Sequence, residues 1–230
     1  IDADICADEV FALELLRYLL DQTGETEFGF ELNANNAGPK VIALLGELFQ
    51  RRKLVELEVG VQTTSQTASR LAGRRLSLET FTRSLELLRE KAPELPYKLN
   101  LIFGLPGETE AEFYRGVDFL WRFQPCRILA YPLCVLPGTQ LYSQAHELGI
   151  CFDDHPPFPV LATREMPLES MLRIRKFSTL LAVAFFKNKE LSEAMGSVRE
   201  GSLSETIVSF LETRAVSACH CEKISRPLIQ

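Results

Sequence analysis

The sequence predicts an α/β protein in which parallel strands are covered by helices, with a helical extension at the C-terminus. Four short apolar segments alternate with helical segments over residues 1–150. The strand-to-strand intervals are about 30 to 40 residues, the size of a βα unit. The alternation stops near Cys151, before the proline-rich segment 155–159, and no strand pattern is visible beyond it. We therefore predict a first unit over residues 1–163 and a helical extension over 164–230.

The first two strands and their helices are predicted from periodicity and from the residues at the helix ends. Segment 8–22 places its apolar residues on one helical face, and Gly24 follows as a stop signal. Segment 28–32 is a short, aromatic-rich strand. Proline suits the first position of a helix, so Pro39 opens the next one. Residues 55–62 alternate in part between apolar and polar side chains, which is typical of a second strand.

The rest of the first unit continues the alternation. Thr109 and Glu112 stand three residues apart, the spacing of a helix-capping box. Because the strands are linked through helices, we expect them to be parallel neighbours in chain order. The remaining predicted elements are helices over 65–72 and 77–90, a strand over 98–103, a helix over 109–123, a strand over 127–134, a helix over 139–148, and extension helices over 170–186 and 204–212.

Composition excludes several classes of protein. The chain has 230 residues, of which 46% are hydrophobic, so it can bury a sizeable core. Its formal charge of −6 argues against a nonspecific nucleic-acid surface. No apolar run approaches the ~20 residues that cross a bilayer. The chain begins at Ile1 inside an apolar and acidic pattern, so we expect a fragment of a longer protein.

The six cysteines have irregular spacing, which favours reduced thiols and a cytoplasmic location. Two of them flank His220 near the C-terminus, as Cys219 and Cys221. This triplet is either half of a soft-metal site or a polar tail. Zinc usually takes four ligands with wider cysteine spacing, and no second pair follows, so the polar tail is the favoured interpretation.

Polar side chains lie at the end of each predicted strand. Glu31, Gln62 and Asn100 occupy or end the first three strands, and Tyr131 lies on the fourth. In parallel βα folds, ligand sites form at the carboxyl ends of the strands. A group of hydrogen-bonding side chains at this edge favours a polar cofactor over an apolar ligand.

Each of these features also has a structural interpretation. Glu31 suits a half-exposed edge position, and Gln62 suits an internal hydrogen bond. Arg74 and Arg75 suit a solvated charge pair at a helix end. The segment 104–107 suits a tight turn, because its glycines permit backbone angles that other residues avoid. That segment is neither a P-loop nor a dinucleotide-binding motif.

Taken together, four stretches resemble the radical S-adenosylmethionine (SAM) superfamily. They are Phe30–Leu32, Gly60–Ser65 followed by Arg74, Asn100–Thr109 and Tyr131–Thr139. The resemblance covers residues 1–160 and implies the later strands of a partial (β/α)₆ TIM barrel, with 2–4 at the acidic end of its third strand. The stretches are most similar to radical SAM proteins with a cobalamin-binding domain, and more distantly to the anaerobic coproporphyrinogen oxidase type.

The resemblance implies a SAM-dependent, iron–sulfur enzyme. A four-iron, four-sulfur cluster would cleave SAM reductively to methionine and a deoxyadenosyl radical, and the protein would place the cofactor and exclude water. A small-molecule substrate, a reductant protein and, in some relatives, cobalamin are implied as partners. The outcome would be methyl transfer or oxidative cyclisation. The residues implied on the SAM side of the barrel are Glu31, Gln62, Arg74, Asn100 and Tyr131.

Within that implied site, Gln62 and Asn100 would bond the ribose hydroxyls. Arg74, or Arg75 one place along, would pair with the methionyl carboxylate through a charge-assisted bond. Tyr131 would pack against the adenine. Related proteins often have Asp in place of Asn100, and Asn keeps the acceptor but loses the charge.

The sequence departs from the superfamily in one respect. No three of its cysteines have the C-x₃-C-x₂-C spacing that holds the four-iron cluster. We expect that motif, the first barrel strands and any cobalamin domain to precede Ile1, so that this chain alone binds no cluster and is inactive. The alternative is a noncatalytic α/β module, derived from this fold, that binds a ligand or another subunit.

Overall fold

The computed structural model describes residues 4–33, 35–74, 76–184 and 202–221. Asp2 and Arg75 lie outside these residues, and Cys219 and Cys221 lie beyond those whose side chains are described. After a short 3₁₀ turn over Ile5–Ala7, the elements follow in chain order. They are α1 (Glu9–Asp21), β1 (Phe28–Asn33), α2 (Pro39–Gln50), β2 (Leu54–Gln62), α3 (Gln66–Leu71), α4 (Leu78–Lys91), β3 (Tyr97–Phe103), α5 (Glu110–Trp121), β4 (Arg127–Pro132), α6 (Gln140–Gln144), β5 (Cys151–Phe152), β6 (Val160–Ala162), α7 (Leu168–Ala184) and α8 (Leu203–Cys221).

The four main strands form one parallel sheet in the order β1-β2-β3-β4, which confirms the predicted topology. Across the sheet, Glu31 is the register partner of Glu58, and Glu58 is the partner of Lys98. Further along the strands, Asn100 lies between Gly60 and Leu129. Since alternate residues of a strand point to opposite faces, these pairings place Glu31, Glu58 and Asn100 on the same face.

Local sequence signals place the helix starts. Asp8 accepts bonds from the Val10 and Phe11 amides at the start of α1. The predicted capping box at α5 is present, with the Thr109 amide donating to Glu112 Oε2 at 2.8 Å and the Glu112 amide donating to Thr109 Oγ1 at 3.2 Å. These caps satisfy amides that have no partner within the helix.

One face of the sheet is packed against helices. Its strand residues are apolar and fully buried, as are the helical residues of the same core. Strand members of this core are Leu57, Val59, Leu99, Leu101 and Phe103, and helical members are Leu45, Leu48, Phe81, Leu85, Phe113 and Val117. The other face, which we call the open face, carries Glu31, Glu58, Lys98, Asn100, Leu129 and Tyr131 and is partly exposed.

The segment after Cys151 contains two short strands that the sequence pattern did not predict. β5 and β6 pair antiparallel, and the backbone of Cys134 forms an isolated antiparallel β-bridge with Pro159. Strands of two and three residues are too short to produce a period-2 pattern, so alternation could not reveal them.

The extension packs onto the first unit through aromatic and polar contacts. The Phe177 ring of α7 lies 4.9 Å from the Tyr114 ring and 6.2 Å from the Phe113 ring, both on α5. Asp118 accepts bonds from Ser202 and Ser204 at the start of α8. The division at residue 163 stays a prediction. Among the helices of the described residues, none is long and apolar enough to cross a bilayer.

Candidate functional site

A cleft of about 620 Å³ opens at the carboxyl ends of β1 and β2. Three of the predicted site residues line it, namely Glu31, Gln62 and Arg74. Most of its other lining residues are polar: Asp4, Asn33, Asn35, Asn36, Thr63, Ser69, Ser77 and Thr80. The cleft therefore offers carboxylate, amide, hydroxyl and guanidinium groups to a single ligand.

Backbone irregularity at the end of β2 places Gln62 in this cleft. The register with β3 shifts between Gly60 and Gln62, and Gln62 has a φ of 71°. Its side chain folds back over Gly60, since a Cβ on that glycine would lie 2.9 Å from Gln62 Nε2. Gly60 thus leaves room for the amide of Gln62 against the open face.

Arg74 is anchored through its backbone while its side chain remains exposed. Its amide donates to the Ser69 carbonyl at 2.8 Å, and Ser69 Oγ donates to the Arg74 carbonyl at 3.2 Å. Among the described residues, Arg74 has no ion-pair partner. Its guanidinium is available for an anionic group such as a carboxylate.

Asn100 and Tyr131 share the open face with Glu31 but do not line the cleft. Asn100 is 8% exposed, and its Nδ2 donates to Glu58 Oε2 at 2.9 Å. Tyr131 is 49% exposed, and partial burial together with the charges of Glu58 and Glu31 raises the pKa of its hydroxyl. The five predicted residues therefore divide into three in the cleft and two beside it, with Gly60 between them.

Sequence reasoning missed Glu108, which is only 2% exposed. Thr63, which lines the cleft, donates its hydroxyl to Glu108 Oε1 at 2.5 Å, whereas Glu108 Oε2 has no hydrogen-bond partner. Burial raises the pKa of Glu108 to about 7, although the Thr63 hydrogen bond favours its charged form. The residue lies within the Asn100–Thr109 stretch, directly after a turn. Apolar periodicity indicates burial only within helices and strands, so it could not indicate the burial of Glu108.

The Gly104 to Gly107 segment forms a tight turn packed on its neighbours. The φ angles of Gly104 and Gly107 are 84° and 79°. A Cβ on Gly107 would lie 2.8 Å from Leu71 Cδ1, and one on Gly104 would lie 2.7 Å from Met171 Cε. The turn thus positions α3, which leads to Arg74, and it does not itself line the cleft.

The described cysteines do not form a cluster site. Cys6, Cys126, Cys134 and Cys151 are free thiols. Burial raises the pKa of Cys6 to about 12, which keeps it a thiol rather than the thiolate that iron requires. Among the described residues, the group with metal-ligating spacing contains no cysteine and comprises Asp153, Asp154 and His155, of which Asp153 is half-buried and the other two are exposed.

Part of the chain is similar in sequence to curated methylthiotransferases. No protein-family profile matches the chain. It is 31% identical over 101 residues to ribosomal protein uS12 methylthiotransferase RimO of Thermodesulfovibrio yellowstonii, covering 44% of this chain and 24% of RimO. It is 30% identical over 129 residues to the probable threonylcarbamoyladenosine tRNA methylthiotransferase of Pyrococcus abyssi, covering 54% of this chain and 30% of that protein. The chain therefore spans about a quarter to a third of the curated relatives it matches.

Solved structures decide the fold. TsrM from Kitasatospora setae, a radical SAM methyltransferase determined with cobalamin and a [4Fe-4S] cluster bound, matches 74% of this chain and 34% of its own at a TM-score of 0.54 and 16% identity. The chain has the radical SAM fold. The radical SAM enzyme coproporphyrinogen III oxidase (HemN) from Escherichia coli also matches, over 75% of this chain and 37% of its own, with a TM-score of 0.52 and 18% identity. The predicted resemblance to the radical SAM superfamily is confirmed at the level of the fold. Methylthiotransferases were not among the types of radical SAM protein that the sequence resemblance indicated.

Proposed function

We propose that this chain supplies the SAM-holding strands of a radical SAM enzyme. The observation that carries the proposal is the Arg74 guanidinium, which has no ion-pair partner among the described residues and lies in a polar cleft at the carboxyl ends of β1 and β2. A cationic group in a cleft lined mostly by amides, hydroxyls and carboxylates matches the methionyl end of SAM, which carries a carboxylate and an amine.

The chemistry of the lining residues supports this fit. Arg74 would take the methionyl carboxylate, and Glu31 would take the amine or the positive charge near it. The Gln62 amide can donate to, or accept from, a ribose hydroxyl. Asn100 Oδ1 is buried and makes no hydrogen bond among the described residues. It lies on the strand beside Gly60, which lines the cleft, and would accept a bond from a second hydroxyl that reaches past this glycine. Tyr131 would face the adenine.

Bound SAM supplies a methyl group or, when reductively cleaved, a deoxyadenosyl radical. The cluster required for that cleavage does not fit the described cysteines, so the present residues are assigned only to binding and orienting SAM. A reductant protein, a cluster site and any cobalamin belong to the proposed whole enzyme. Among possible outcomes, methylthio transfer is supported by the two curated relatives that carry that activity in their names.

The test is SAM binding to the 230-residue chain by calorimetry, with Gln62→Ala and Arg74→Ala compared with the wild type. Losing a hydrogen bond to a charged group costs roughly 1.5–3 kcal/mol, so Arg74→Ala is expected to weaken SAM about ten- to a hundredfold. Arg70→Ala is the matched control, because Arg70 is exposed on α3 and does not line the cleft. It should leave the affinity unchanged.

A second ligand separates the two ends of the proposed site. Adenosine lacks the methionyl carboxylate, so Arg74→Ala should not alter its affinity, whereas Gln62→Ala should weaken both ligands. Equal affinity for SAM in the wild type, Gln62→Ala and Arg74→Ala would show that this cleft does not hold SAM, and the residue assignments would then be wrong.

A further inference from the structure

The open face contains a buried amide whose two ends have different surroundings. Asn100 Nδ2 donates to Glu58 Oε2 at 2.9 Å, while Asn100 Oδ1 makes no hydrogen bond among the described residues. A carboxylate only accepts hydrogen bonds, so the amide must turn its NH₂ group toward Glu58. The oxygen of Asn100 is then the buried, unpartnered end of the amide, on the strand next to Gly60 at the edge of the cleft.

Glu58 is itself held in place. Lys98 Nζ lies 3.5 Å from Glu58 Oε1, and it also forms an ion pair with Glu56. The side chains of Glu58 and Lys98 are only 31% and 16% exposed. One oxygen of Glu58 therefore faces a cation and the other faces the Asn100 amide. Because both oxygens have partners, the orientation of the carboxylate is restrained.

We infer that Glu58 is a positioning residue that makes Asn100 present an acceptor, and only an acceptor, to the ligand. The pair does together what a carboxylate at position 100 would do alone: it accepts a hydrogen bond from a hydroxyl. Nothing in the superfamily resemblance assigns Glu58. The inference rests on the proposed function, since the hydroxyl is taken to be one on the ribose of SAM.

The rival explanation is that Glu58 merely pairs with Lys98. Glu56 provides the matched control, because it lies on the same strand and face and pairs with the same lysine. It makes no hydrogen bond to Asn100. If Glu58 acts through Lys98 alone, Glu56→Gln and Glu58→Gln should have similar effects on the ligand.

The decisive experiment exchanges the carboxylate and amide groups between positions 58 and 100. In Glu58→Gln, the new amide turns its oxygen to Lys98 and its NH₂ group to Asn100, so Asn100 rotates and presents a donor. In Asn100→Asp, two carboxylates face each other and repel. The double variant Glu58→Gln/Asn100→Asp restores a complementary pair, with the amide donating to the new carboxylate and one carboxylate oxygen facing the ligand.

We expect each single variant to weaken SAM binding by about tenfold, Glu56→Gln to change it by less than about twofold, and the double variant to recover to within about threefold of the wild type. Calorimetry on the 230-residue chain measures all four. A double variant as weak as the product of the singles would overturn the inference, because a merely structural role predicts additive losses.

A ligand-free measurement separates this inference from the proposed function. In a ¹H–¹⁵N correlation spectrum, the Asn100 side-chain amide, assigned by its loss in Asn100→Asp, should exchange slowly with water in the wild type and in Glu56→Gln, and rapidly in Glu58→Gln. If the wild type binds no SAM, the proposed function fails while this spectrum still decides the role of Glu58. Slow exchange retained in Glu58→Gln would overturn the inference.

Discussion

The two faces of the parallel sheet are built by the same strands, yet one is apolar and buried and the other carries polar side chains. On the covered face, Leu57 and Leu99 are fully buried against helices. On the open face, one residue further along each strand, Glu58 and Asn100 make a polar contact at 2.9 Å. The covered face supplies hydrophobic stabilisation, whereas the open face carries polar groups, of which Asn100 is buried and Glu58 is partly exposed.

The open face is not arranged for stability. Glu31 and Glu58 are register partners on adjacent strands, and like charges in such positions are destabilising. Lys98 is shared by Glu56 and Glu58, and burial together with nearby Arg127 lowers its pKa. Two carboxylates held as register partners do not favour folding, and they suit the ligand binding proposed above.

The largest expected effect on stability comes from a core substitution on the covered face. Leu99→Ala should lower the free energy of unfolding by about 2–5 kcal/mol, because it removes a fully buried side chain and leaves a cavity. Leu129→Ala makes the same change on the open face, where the side chain is only partly buried, and should cost less than about 1 kcal/mol. Urea unfolding measures both. Equal losses would contradict the distinction between the faces.

The next effect concerns the buried acid beneath the cleft. The pKa of Glu108 is raised to about 7, so the folded protein binds this proton more tightly than the unfolded chain. The resulting stability is complete below the ordinary glutamate pKa and is lost as the pH rises through about 7. The wild type should therefore be roughly 2–3 kcal/mol less stable at pH 8 than at pH 5 from this group.

Glu108→Gln should remove that part of the pH dependence in chemical unfolding followed at both pH values. Glu112→Gln is the control, because hydrogen bonds from the Thr109 amide and hydroxyl lower the pKa of Glu112, and it stays charged over this range. The interpretation of Glu108 is wrong if both variants keep the wild-type slope.

The smallest effect tests the ion pairs of the open face. Glu56→Gln removes one partner of Lys98, but the Glu56 side chain is 41% exposed. Exposed pairs contribute roughly 0–1 kcal/mol, so we expect a loss below about 1 kcal/mol that shrinks further in high salt. Thermal unfolding at two salt concentrations measures it. A loss above about 2 kcal/mol would mean that this face contributes to folding as the covered face does.

Much of the fold was predictable because local signals are strong in βα units. The capping box at Thr109 and the alternation over β2 depend on neighbouring residues only, and the structure contains both. Chain order then followed from the linking helices. The pairing of Glu58 with Asn100 could not be predicted, because the two residues are 42 positions apart and their contact depends on the register between β2 and β3.

The sequence by itself determined the parallel α/β class, the strand order and the polar residues at the strand ends, because periodicity and helix caps act within a few residues. Only the tertiary structure decided that Gln62 bends back over Gly60, that Glu108 is buried beside Thr63 and that Asn100 donates to Glu58. Each of these depends on strand register and on loop packing. Those bring distant residues to within hydrogen-bonding distance, and no local pattern encodes them.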